Sequence, residues 1–121
     1  MATAADIMKG GCSAGQAAGI NGQVNSSVSA AGTTQGTATA LTASISVVTT
    51  AAASSGVVLT DSEIGDQYEI LNLGANAVTV YPPSGGRVNA IATNGGFTLA
   101  TNTAVKVRKF TTTRWVAYLS A

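Results

Sequence analysis

The chain has no histidine and a single cysteine among its 121 residues. Without an imidazole it lacks the commonest general base and metal ligand. Ser/His and Cys/His nucleophile pairs are thereby excluded, as are zinc sites of the usual His/Cys type. Cys12 has no partner for an intrachain disulfide and lies in a Gly-rich stretch away from any candidate base, so it reads as an unreactive thiol. Charge is scarce too, at 9% of residues, against about 25% in an ordinary soluble domain. The formal net charge of +1 leaves no global field for nucleic acid or an anionic membrane, so neither is expected as a partner. Three Tyr, two Phe and one Trp give little platform for sugar or base stacking. Long apolar runs are missing as well. The longest stretch of low polarity, residues 41–59, is broken by Thr42, Ser44, Ser46, Thr49, Thr50, Ser54 and Ser55, whereas a membrane helix needs about 20 mostly apolar residues. Residues 1–9 lack a basic region followed by an apolar stretch, so no secretory signal is expected, and synthesis in a reducing cytoplasm is.

Small and β-branched residues fill the space left: 22 Ala, 17 Thr and 14 Gly. A chain this long buries roughly two-thirds of its unfolded surface, enough for one domain with a real core. Its few charges are segregated. None occurs from Gly10 to Thr60; Asp61, Glu63, Asp66 and Glu69 then cluster, followed by Arg87, Lys106, Arg108, Lys109 and Arg114. These clusters read either as solvated turns and strand faces, or as acidic and basic faces that meet between subunits. A free monomer with so little charge is a poor colloid, which implies that much of the surface is covered in use.

Strand and turn signals run through most of the chain. Residues 68–73 and 78–81 are β-rich and are joined by Gly74-Ala75-Asn76-Ala77, the length of a hairpin connection. Pro82-Pro83-Ser84-Gly85-Gly86 stops the second strand. Short strands are expected over 88–91, ending near Asn94-Gly95-Gly96, and over 97–100, closed by Thr101-Asn102. Residues 104–110 place Val105 and Val107 on one face, with Lys106 and Arg108 on the other. Thr111-Thr112-Thr113 turns the chain into a last strand that groups Trp115, Ala117 and Leu119, with Phe110 and Trp115 as core or interface anchors. Residues 37–42, 45–50 and 56–59 suggest three more strands. No stretch shows sustained helical periodicity with a cap and a stop. The expected fold is all-β: an antiparallel β-sandwich of jelly-roll type over residues 36–121, preceded by an extended arm, residues 1–35, with little to bury.

No motif carries chemistry. Asp61, Glu63, Asp66 and Glu69 could offer oxygens to calcium, but they lack the regular spacing and internal Gly of a calcium loop, so an acidic solvated turn is the better reading. Gly10-Gly11-Cys12-Ser13-Ala14-Gly15 is not followed by Gly-Lys-Ser/Thr and has no strand–helix unit around it, so it is no phosphate loop. Five acids, most in one region, make two opposed glycosidase carboxylates improbable. The expectation is a protein that is not an enzyme, with no catalytic, cofactor-binding or metal-binding residue and no cofactor.

Residues 32–41 (GTTQGTATAL), 47–50, 56–59, the block 70–82 (ILNLGANAVTVYP), 84–89, 97–99 and a terminal strand bearing Trp115 together resemble a pattern of small tailed-bacteriophage virion proteins. The resemblance spans roughly residues 32–119. It implies a structural role in the virion, frequently as a homotrimer. The chain would then be a capsid decoration (cement) protein on the capsid exterior, binding the major capsid protein and stabilising the assembled shell. A tail or head fibre or receptor-binding module is the alternative.

Overall fold

The computed structural model describes residues 24–60 and 63–119. Short runs rich in Val, Ile and Thr, with burial alternating from one residue to the next, form ten strands there: β1 Val24–Ala30, β2 Thr39–Ala40, β3 Ile45–Ala51, β4 Gly56–Val58, β5 Gln67–Asn72, β6 Val78–Tyr81, β7 Arg87–Val88, β8 Phe97–Leu99, β9 Thr103–Lys109 and β10 Arg114–Leu119. Six of them make one sheet, in the order β1-β3-β5-β9-β10-β7, and the other four make a second, β2-β4-β6-β8. No described residue is helical, and none belongs to a helix long and apolar enough to cross a membrane. The described residues are all-β, as their strand-and-turn punctuation implies.

The winding differs from the expected antiparallel jelly roll. From β1 to β6 the chain alternates between the two sheets, and each pass lies parallel to the one before. β1 pairs with β3 and β3 with β5 in the larger sheet, while β2 pairs with β4 and β4 with β6 in the smaller. Val24, Ile45 and Glu69 stack in register, 21 and 24 residues apart. These are the coils of a β-solenoid. Apart from an isolated antiparallel bridge between Ala31 and Gly56, antiparallel pairing enters after β6, where β8 returns beside β6, β9 beside β5 and β10 beside β9. β7 then runs parallel to β10 at the end of the larger sheet.

The physical reason for the correction lies in the corner after β5. Gly74–Ala77 does not close a hairpin, because β5 and β6 belong to different sheets. Asn72, fully buried, accepts from Gly74 N at 2.9 Å and donates to the carbonyls of Asn76 and Leu99, each at 3.0 Å. Asn76 in turn donates to Ala51 O at 2.9 Å. These bonds satisfy the corner's backbone against the previous coil and the neighbouring sheet, so the chain crosses between layers instead of doubling back.

The expected arm divides. Residues 1–23, with Cys12 and Gly10–Gly15, lie outside the described residues. Val24–Ala30 is docked as a strand, with Val28 and Ala30 buried. Between the sheets lies one contiguous core. Val48, Ile70, Val105, Val107 and Trp115 come from the larger sheet, and Val57, Val78, Val80 and Leu99 from the smaller. Leu41 and Leu59, on the connections, close its sides. Each such side chain contributes about 1.5–3 kcal/mol on full burial. The Tyr68 and Trp115 rings meet at 5.8 Å, tilted by 46°. At the turns, Asn94 and Asn102 take left-handed backbone (φ 65° and 60°), a conformation that Asn tolerates better than most residues.

Candidate functional site

With Val48, Ile70 and Val105 facing the core, strand alternation turns their neighbours outward. Ile45 and Val47 of β3, Leu71 of β5 and Ala104 of β9 are therefore on the outer face of the six-stranded sheet, half-buried, beside exposed Tyr118 of β10. Register arranges them in two rows. One runs Val24, Ile45, Glu69, Lys106, Tyr118 across five strands; the next runs Val47, Leu71, Ala104. All of these but Val24, together with Leu119 at the end of β10, line an open groove of about 430 Å³. Tyr118 and Leu119, each 55% exposed, form one wall. The surface lining the groove is mostly apolar, so covering it removes apolar area from water.

The groove has one charged feature, at its middle. Lys106 Nζ lies 3.5 Å from Glu69 Oε1, and both side chains are about half-exposed. At that exposure the pair contributes little to folding, on the order of 0–1 kcal/mol. Next along β9, Arg108 donates to Gln67 Oε1 at 3.0 Å. The acidic and basic clusters of the sequence thus meet within one chain at Glu69 and Lys106.

The acidic cluster does not converge. Asp61 lies outside the described residues. Glu63 and Asp66 close a turn, with Asp66 Oδ2 accepting from Glu63 N at 3.1 Å, while Glu69 sits on the sheet face. Among the described residues no group of three or more His, Cys, Asp or Glu is placed to hold a metal ion. Trp115 is sealed in the core, whereas Phe110 is 47% exposed just beyond β9. Lys109, grouped by sequence with the other exposed bases, is buried instead, with Nζ 5.8 Å from the centre of the Trp115 ring.

The groove residues escaped the sequence reading. Their one signal is that β3 and β5 are apolar at outward as well as inward positions: Ile45 and Val47 beside Val48, Leu71 beside Ile70. No family model, curated protein or solved structure matches the chain.

Proposed function

We propose that this chain is a non-enzymatic structural module that works as a homo-oligomer, a trimer in the leading reading, and serves as a decoration (cement) protein on the exterior of a phage capsid. The observation that carries the self-assembling role is the apolar outer face around Ile45, Val47, Leu71 and Tyr118, in a chain with only 9% charged residues. Covering that face removes apolar surface from water, the usual driving force of association. The virion role rests on the resemblance over residues 32–119. A protein that binds only the assembled lattice lowers that state's free energy by mass action, and an oligomer multiplies modest contacts through effective concentration.

The test has two steps: the native mass of the purified protein, then its binding to undecorated capsids. Location on purified virions at a copy number matching the shell's sites is the expected result. A copy number far below that, or a strictly monomeric protein that ignores shells, sinks the proposal. Binding to host cells or blocked adsorption transfers the module to a fibre tip.

A further inference from the structure

We propose that the outer face of the six-stranded sheet docks a second copy of this chain, with the Glu69 carboxylate of each copy set against the Lys106 ammonium of its neighbour. This rests on the self-assembling reading above and names the surface that serves it.

The case is one of charge complementarity. Glu69 and Lys106 stand side by side in the middle of a row whose other members, Val24, Ile45 and Tyr118, are apolar or aromatic. A wholly apolar partner would strip water from both charges and return nothing for them, a cost that the 3.5 Å pair alone does not fully offset. A strongly acidic partner would repel Glu69, and a strongly basic one would repel Lys106. The partner that fits carries one charge of each sign at the same separation within an apolar surround. This chain carries that pattern itself. Turned to face its copy, each carboxylate gains a second ammonium and each ammonium a second carboxylate, while the Ile45, Val47, Leu71 and Tyr118 surfaces come together around them. A two-fold axis achieves this by direct exchange. A three-fold axis achieves it by passing each carboxylate to the next ammonium around the ring. In either case the apolar surfaces enclose the ionic contacts, which fix register.

The experiment uses the full chain and follows native mass by sedimentation, with the fold checked by circular dichroism. Wild type is expected to self-associate. Glu69→Lys puts two ammonium groups on the face and Lys106→Glu two carboxylates, so each variant alone is expected to lose about tenfold or more in association constant. Mixed together, the two variants are expected to recover it fully as a heterodimer about a two-fold axis and in part within a three-fold ring, where one of three contacts still joins like charges; a merely structural role for either residue produces neither recovery. Tyr118→Ser, at an exposed position, weakens association without charge and covers the case in which a charge variant folds poorly. Wild-type oligomers that are indifferent to all three substitutions overturn this face and leave self-assembly standing. A wild type that stays monomeric at about 100 μM overturns both; if that monomer binds shells and Glu69→Lys abolishes the binding, the face belongs to the shell instead.

Discussion

Asn72 of β5 donates its side-chain N–H to the main-chain carbonyl of Leu99 in β8 at 3.0 Å, tying the larger sheet to the smaller through a fully buried amide. The same side chain donates to Asn76 O and accepts from Gly74 N. Its removal strands the Leu99 carbonyl and the Gly74 N–H in the buried interior, and the Asn76 carbonyl at its edge, and each buried orphan costs about 1–3 kcal/mol. Asn72→Ala is expected to lower unfolding free energy by about 3 kcal/mol or more, and Asn72→Leu to fare no better, because added apolar volume leaves the same groups unpaired. Chemical denaturation of the purified variants checks this. A loss under about 0.5 kcal/mol would mean that the corner finds other partners.

The aromatic ring of Tyr81 defines a second constraint. A methyl group on Gly56 would lie 2.8 Å from Tyr81 Cε2 and 2.9 Å from Thr79 O; one on Gly96 would lie 2.8 Å from Val80 O and 3.0 Å from Tyr81 Cδ1. The ring thus covers Gly56 of β4 and Gly96, just before β8, on the outside of the smaller sheet, and its hydroxyl donates to Thr33 O at 3.2 Å. Gly56→Ala and Gly96→Ala are each expected to cost about 1–3 kcal/mol, since main-chain oxygens cannot retreat as a side-chain tip can. Gly36→Ala is the control: nothing lies within 4 Å of its added methyl. Thermal melts of the three variants should separate the first two from the third.

These two sites show what the sequence concealed. Val105 and Val107 opposite Lys106 and Arg108 spell out β9, and that strand forms where alternation places it. β1 has only Val28 and Ala30 buried among Asn and Ser, too little to distinguish a docked strand from an arm. The solenoid winding was hidden for another reason. Gly74–Ala77 has hairpin length, and what makes it a corner is a set of bonds from Asn72 and Asn76 to Leu99 and Ala51, partners far away in the chain. The groove depends on the same parallel winding, which alone brings Ile45 beside Glu69. Residue types locate strands, but long-range hydrogen bonds decide which strands become neighbours.

Ser46 predicts a change of the opposite sign. It is 1% exposed on the core side of β3, and its Oγ makes no hydrogen bond. Burial of an unsatisfied hydroxyl costs about 1–3 kcal/mol. Ser46→Ala removes that cost at the price of a one-atom void and is expected to raise unfolding free energy by up to about 1 kcal/mol. An urea midpoint that falls would show that the hydroxyl is satisfied after all.

Trp115 and Phe110 flank the same turn and look equivalent in sequence, yet they predict opposite outcomes. Trp115 is paired in register with Lys109 on one side and Val88 on the other, 1% exposed, with its ring against Tyr68. Its truncation opens a cavity beside the Tyr68 ring. Trp115→Ala is expected to cost about 3–5 kcal/mol, a large share of the roughly 5–15 kcal/mol that holds a domain folded. Trp115→Phe keeps most of the apolar contact and should recover part of that loss. Phe110 is half-exposed, and its backbone N–H, which donates to Arg114 O at 2.9 Å, survives any side-chain change. Phe110→Ala is therefore expected to stay within about 0.5 kcal/mol of wild type. Guanidinium titration of the three variants measures the contrast directly, and comparable losses for Trp115→Ala and Phe110→Ala would place the turn, not the core, at the centre of this end's stability.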